Sequence, residues 1–168
     1  CQQVKNLVHV YIHSMQSSHS LHETRNLAYC VFNMFRKSFC PLRVYVTIFL
    51  EQDHPDCYQS FMRELKRLDI DEGHGTLISR VEVITSNLGF DTPPLGRLLA
   101  YKEISKRTRF EQLKSSDFTL LLDEHNCLAK DWDDILIKQY MVVSEFGQFQ
   151  SCLSYFPVVK SNSGSNEM

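Results

Sequence analysis

The feature that most constrains the fold of this chain is a short apolar run, residues 118–122, that stops abruptly at Asp123-Glu124-His125. A run of this length and composition is typical of a strand buried inside a sheet. Buried strands of α/β proteins present polar residues at their carboxyl ends, where ligands bind. The pattern therefore predicts an α/β fold in which Asp123 lies at the functional edge of the sheet.

The polar residues after this run predict a metal site. Asp123 and His125 are two positions apart, so in extended backbone they lie on the same side of the chain. A carboxylate oxygen and an imidazole nitrogen are both good ligands for a divalent cation. This pair favours Mn²⁺ over Mg²⁺, and over Ca²⁺, which takes all-oxygen cages. The alternative, that Asp123 is a turn former or caps the next element, stays open at this point.

Apolar β-prone segments alternate with helical patterns along the chain. We predict strands at residues 7–12, 44–50, 78–85, 118–122 and 150–156. We predict helices at residues 22–39, 57–68, 95–113 and 133–145. This alternation suits right-handed parallel crossovers, so the predicted fold is a three-layer α/β/α sandwich with a mostly parallel sheet. The first four strands are expected in one sheet, with Asp123 at its carboxyl edge.

Length and composition predict one globular domain. A chain of 168 residues can bury about 70% of its unfolded surface. The net charge of −2 does not predict the basic face that nucleic-acid binding needs. No apolar run approaches the ~20 residues of a membrane span. We expect the domain to occupy residues 1–160, with a disordered tail at 161–168 whose small polar residues cannot build a core.

The six cysteines show no Cys-x-x-Cys pair, which argues against a zinc site. Cys30 and Cys152 fall within apolar patterns, and we expect them to be buried free thiols. The sequence also contains no Asn-x-Ser/Thr sequon. Together these features favour a reducing compartment, the cytoplasm rather than the Golgi lumen.

Several motifs, taken in order, resemble the family-60 glycosyltransferases, the polypeptide N-acetylglucosaminyltransferases of protists that include cytoplasmic enzymes modifying hydroxyproline. The family has a Gly-Pro-x-x-Ala-Arg-like segment, a strand reading roughly Asp-Tyr-Tyr-Leu-Gln-Ile-Asp-Ser-His, a Gly-Trp-Asp and a later Leu-Ser-x-Tyr-Pro. The matching segments here are Pro93-Pro94-Leu95-Gly96-Arg97, residues 117–125, Asp131-Trp132-Asp133 and Leu153-Ser154-Tyr155-Phe156-Pro157.

The resemblance implies the nucleotide-binding half of a GT-A glycosyltransferase. Such an enzyme would move N-acetylglucosamine from UDP-N-acetylglucosamine to a hydroxyl of a polypeptide. A cation held by Asp123 and His125 would stabilise the leaving UDP as a Lewis acid. The donor would contact Ser14, in the loop expected at residues 13–20, as well as Asp123. Arg97 would meet the diphosphate, where a positive charge offsets the departing negative charge.

The chain also departs from the family pattern. Ser14-Met15-Gln16-Ser17 stands where the family shows Ser-Tyr-Arg-Asp, and family members continue well beyond the last strand. We therefore expect the domain to be incomplete at its carboxyl terminus. No catalytic base is assigned, because retaining transferases of this kind often have no obvious one.

Three other interpretations remain open. The first is a phosphatase with an aspartate nucleophile, although that motif normally ends the first strand of its domain. The second is a methyltransferase or dehydrogenase of Rossmann type, which needs a glycine-rich turn after the first strand, where residues 14–20 contain no glycine. The third is an inactive or truncated transferase domain that binds a nucleotide-sugar or only a protein partner.

Overall fold

The computed structural model of the chain describes residues 6–16, 21–52, 56–71, 77–86, 118–123 and 126–146. The strands are β1 Val8–Gln16, β2 Val44–Gln52, β3 Val81–Ser86 and β4 Phe118–Asp123. The α-helices are α1 Leu21–Lys37, α2 Asp56–Asp71 and α3 Trp132–Phe146. Short 3₁₀ helices, Pro41–Arg43 and Leu77–Arg80, lead directly into β2 and β3.

The four strands form one parallel sheet in the order β3-β2-β1-β4. The fold is therefore α/β, consistent with a GT-A-like sandwich, and the predicted class is confirmed. The four strands share one sheet as predicted, and Asp123 is the last residue of β4. Because all four strands are parallel, their carboxyl ends meet at one edge of the sheet.

One face of the sheet is apolar and packs against the helices. Val10 and Ile12 of β1 and Val46 and Ile48 of β2 are at most 1% exposed. They share one hydrophobic cluster with the buried faces of the three helices: Leu27, Val31, Met34 and Phe35 of α1, Phe61, Leu65 and Leu68 of α2, and Trp132 and Ile137 of α3. The helical periodicity seen in the sequence of α1 thus corresponds to its buried stripe.

The other face of the sheet has a mixed polar and aromatic composition. Side chains alternate between faces along a strand, which places His9, Tyr11 and His13 of β1 beside Tyr45, Thr47 and Phe49 of β2. Tyr11 and Phe49 are buried, whereas the two histidines are half-buried. The two faces therefore differ in chemistry, and only one of them belongs to the main hydrophobic cluster.

Two predicted boundaries are wrong. The polar residues 13–16, expected to begin a loop, continue β1, because each pairs with a residue of β2 up to Gln16 with Gln52. β3 begins at Val81, since the residues before it form the 3₁₀ helix Leu77–Arg80. The predicted helix at 95–113, the predicted strand at 150–156, the domain limit at residue 160 and the tail at 161–168 lie outside the described residues.

The cysteines are of two kinds. Cys30, Cys57 and Cys127 are not disulfide-bonded. Cys30, predicted to be buried, is half-buried, and its Sγ donates to the carbonyl of Asn126 at 3.3 Å. Cys40 is disulfide-bonded, with a partner outside the described residues, and Cys152 also lies outside them. Since disulfides persist mainly in oxidising compartments, the cysteines no longer favour a reducing one. In the part of the chain that the structure describes, no helix is both long and apolar enough to cross a membrane.

Candidate functional site

The strand order reverses direction between β1 and β4. From β1 the chain steps to β2 and then β3 on one side, and α1 and α2 pack on the same face as these steps. β4 lies on the other side of β1, so the order of the strands in the sheet departs from their order in the chain. In open α/β sheets, the crevice outside the carboxyl ends at such a reversal is where ligands bind. The candidate site is therefore the carboxyl edge between β1 and β4.

Two residues with ligand chemistry lie side by side at this edge. His13 of β1 and Asp123 of β4 are register partners, so they occupy neighbouring positions on the same face of the sheet. On its other side, His13 is paired with Phe49 of β2, and the two rings are tilted by 37° with centroids 5.8 Å apart. A carboxylate position, an imidazole and an aromatic ring thus follow one another across three strands.

The predicted site residues lie in different parts of the fold, and two of them lie outside the described residues. Asp123 lies at the carboxyl end of β4, as predicted. Ser14 lies at the same end of β1, but it is fully buried and shares the helix-packed face with its register partner Leu50. Arg97 and His125 lie outside the described residues. The structure therefore brings Asp123 and Ser14 to neighbouring strand ends on opposite faces, and their roles in binding a donor or a metal stay predictions.

Sequence reasoning missed His13, because the polar residues from 13 onward were assigned to a loop. A signal was present in the sequence. Apolar and polar or aromatic residues alternate without interruption from Val8 through His13, which is the period of a strand with two different faces. Continuing that alternation would have placed His13 inside β1, on the same face as His9.

The ligand atoms available at this edge suit a divalent cation that is also coordinated by the substrate of the protein. Imidazole nitrogen and carboxylate oxygen suit Mn²⁺. Among the described residues, no group of three or more His, Cys, Asp or Glu side chains is arranged to hold a metal ion. A cation bound here would need further ligands, which the oxygens of a diphosphate and water provide in many nucleotide enzymes.

The opposite edge of the sheet carries a second aspartate, with a full set of partners. Asp133, in the first turn of α3, has a fully buried side chain. It accepts hydrogen bonds from the backbone N–H of Phe39 at 2.6 Å, the N–H of Cys40 at 3.1 Å and Nε of Arg43 at 2.7 Å. We call these four residues the Asp133 anchor. It joins the start of α3 to the connection between α1 and β2.

The residues beside Asp133 strengthen the same junction. Nε1 of the buried Trp132 donates to the carbonyl of Met34 at 2.9 Å, and the N–H of Asp131 donates to the carbonyl of Lys37 at 2.7 Å. Asp131 has a positive φ of 58°, a conformation that aspartate tolerates better than most residues. The Asp131-Trp132-Asp133 motif therefore holds α3 onto the end of α1, away from the carboxyl edge.

Comparison with known proteins finds no match to this chain. No protein-family model, no curated protein and no solved structure matches the chain. The function therefore has to be inferred from the topology and from the chemistry of the carboxyl edge.

Proposed function

We propose that this chain is a metal-dependent glycosyltransferase domain that binds a UDP-sugar at the carboxyl edge between β1 and β4. It would transfer the sugar, N-acetylglucosamine by resemblance, to a hydroxyl of a polypeptide. The observation that supports this proposal is the position of Asp123. It ends β4 immediately beside β1, at the reversal of strand order where nucleotide ligands bind in α/β sheets.

The proposed roles follow from the charges that the reaction creates. A divalent cation would supply Lewis-acid stabilisation of the departing diphosphate. Asp123 and His125 would hold that cation in place, and Arg97 would contact the phosphates through charge-assisted hydrogen bonds. Ser14 is kept as a predicted donor contact.

Topology and sequence together argue against two of the alternatives, the phosphatase and the Rossmann-type enzyme. A phosphatase with an aspartate nucleophile is expected to carry it at the end of the first strand, whereas Asp123 ends β4. A dinucleotide-binding fold shares the strand order 3-2-1-4. However, it places glycines in the turn after β1, and residues 17–20, between β1 and α1, are Ser-Ser-His-Ser.

The test is a calorimetric titration of UDP with and without Mn²⁺. If both ligands share one site, each binds more tightly in the presence of the other, and by the same factor, because coupling is reciprocal. Asp123→Asn should abolish this coupling. Asp71→Asn is the matched control, since it removes an exposed carboxylate at the far end of α2. UDP affinity in the parent that does not respond to Mn²⁺ would contradict the proposal.

Turnover separates an enzyme from a binding module. A parent protein that binds UDP with Mn²⁺ and slowly hydrolyses UDP-N-acetylglucosamine is a transferase domain, because water replaces the missing acceptor. Coupled binding with no hydrolysis, and no transfer to peptide hydroxyls, would instead indicate the inactive binding domain.

A further inference from the structure

The two histidines of β1 on the polar face form an internal comparison. His9 and His13 are four positions apart on the same face, and both are half-buried. Each ring lies beside an aromatic ring of β2: His9 is stacked on Tyr45 with centroids 5.6 Å apart, and His13 lies against Phe49 at 5.8 Å. Their environments toward β2 are therefore alike.

The two histidines differ in their neighbours on β4. The register partner of His9 is Thr119, whereas the register partner of His13 is Asp123. Neighbouring strands are about 4.8 Å apart, and register partners lie on the same face, so residues at such positions are close enough to share one small ligand. His13 is thus the histidine of β1 whose backbone position is paired with that of Asp123, at the reversal of strand order.

We propose that His13 is a ligand of the divalent cation, so that the metal is held between β1 and β4 by His13 and Asp123. This inference rests on the proposed function and adds to it a ligand from the first strand. The pair supplies one nitrogen and one oxygen, a donor set suited to Mn²⁺. The ring of Phe49 limits how far the imidazole can turn away, which favours a preset ligand geometry.

A purely structural role is the competing explanation. A histidine beside an aspartate in neighbouring strands can stabilise a sheet through a cross-strand hydrogen bond or ion pair without binding any metal. If the pair is only structural, replacing His13 would lower the stability of the protein, but the affinity for Mn²⁺ would not change. Metal affinity and metal ligation are therefore the properties to measure.

The experiment uses Mn²⁺ alone as the probe, followed by electron paramagnetic resonance of the free ion. His13→Gln is compared with His9→Gln, which removes the other half-buried imidazole of the same strand face. We expect His13→Gln to weaken Mn²⁺ binding by about tenfold or more, since even groups behind the ligands change metal affinity by 10- to 100-fold. His9→Gln should change it less than about threefold. Equal effects of the two variants would overturn the inference.

Electron spin-echo modulation gives a second, direct measurement. A directly bound imidazole gives a nitrogen coupling to Mn²⁺, so a cation held by His13 and His125 should show two such contributions. We expect the contribution of His13 to be lost in His13→Gln and all imidazole coupling to disappear in the double variant His13→Gln/His125→Ala. His13→Asp, which keeps a ligand but replaces nitrogen by oxygen, should bind Mn²⁺ with the same reduced coupling and keeps the test valid if His13→Gln folds poorly. A coupling that is unchanged in both His13 variants and vanishes in His125→Ala alone would assign the imidazole to His125 and refute the role of His13.

The outcomes distinguish this inference from the proposed function. If Asp123→Asn loses the coupling between UDP and Mn²⁺ while His13→Gln keeps it, the nucleotide site stands and the His13 ligand is refuted. If Mn²⁺ binds the parent through His13 but UDP affinity ignores the metal, the metal site stands and the transferase proposal fails.

Discussion

Two aspartates occupy different places in the fold: Asp133 of α3 binds the connection that leads into β2, and Asp123 ends β4. At the amino edge, Asp133 is fully buried and accepts hydrogen bonds from two backbone N–H groups and a guanidinium. At the carboxyl edge, Asp123 ends a strand beside His13, where the strand order reverses. Both aspartates lie in short acidic motifs, Asp123-Glu124-His125 and Asp131-Trp132-Asp133. Only their positions in the fold assign one to structure and make the other a candidate for ligand binding.

The comparison teaches that a carboxylate whose acceptor capacity is used by the protein's own donors is unavailable to a ligand. Asp133 bonds groups that precede it by 90 positions or more in the sequence. Its neighbour Trp132 does the same with Met34. In the structure, the Asp131-Trp132-Asp133 motif therefore attaches α3 to the end of α1 and to the connection before β2.

The largest expected effect is at the Asp133 anchor. Asp133→Ala should lower the free energy of unfolding by about 3–5 kcal/mol, because it leaves Arg43 and two buried N–H groups without their acceptor. Urea unfolding followed by the fluorescence of Trp132, the single tryptophan, measures this. Asp134→Ala is the control, since the carboxylate of Asp134 is more exposed than that of Asp133 and forms ion pairs with Arg43 and Lys138. Ion pairs that solvent reaches are worth about 0–1 kcal/mol. Similar losses for both variants would contradict the anchor.

A smaller effect is expected from Trp132→Phe, which keeps an aromatic ring but removes the donor to the carbonyl of Met34. Leaving a buried acceptor unsatisfied costs about 1–3 kcal/mol. The loss of stability should appear in urea unfolding followed by circular dichroism, and the coupling between UDP and Mn²⁺ should be unchanged. A Trp132→Phe protein that is stable but has lost this coupling would place the motif at the ligand site after all.

The smallest effect is expected at the exposed ion pair between Glu64 and Arg67 on α2. The hydrogen bond from Arg67 holds the pKa of Glu64 below its ordinary value of 4.5. A carboxyl whose pKa is lower in the folded state stabilises the protein above its unfolded pKa and loses that contribution as the pH falls through the folded pKa. Glu64→Gln should therefore lower the melting temperature slightly at pH 7, and the difference should shrink as the pH falls below 4.5 and vanish below the lowered pKa of Glu64. A difference that persists in acid would require another cause.

Local pattern was enough to predict most elements of the fold. Apolar periodicity located the three described helices, and β-prone runs located the four strands, to within a few residues at most ends. The pattern failed where tertiary pairing overrides local preference. Residues 13–16 look like a loop, yet they form strand because β2 supplies hydrogen-bond partners through Gln52. The strand order depends on contacts between distant segments, which no local pattern contains.

The site was predictable only in part, for the same reason. Asp123 was placed correctly because the end of the apolar run marks the end of the strand. The predicted burial of that strand was wrong, since β4 is an outer strand of the described sheet and Leu121 is 67% exposed. His13 was missed because its significance depends on the residue beside it in another strand. The partners of Asp133 were also missed, because the donors that fix it lie before β2, at least 90 positions earlier in the chain. Arg97 and His125 stay predictions.

The pairing of β1 with β4 has a consequence for how the chain folds. β1, α1, β2, α2 and β3 follow one another closely, so each contact among them closes a short loop. Val8 pairs with Phe118 only after the whole intervening chain has been bridged, and such distant contacts form slowly because the entropy lost on loop closure comes first. During synthesis, the backbone N–H and C=O groups on the side of β1 that later pairs with β4 stay unpaired until β4 has been made. Until then that side is a ready template for the strands of other chains, and the carboxyl edge does not yet exist as a crevice.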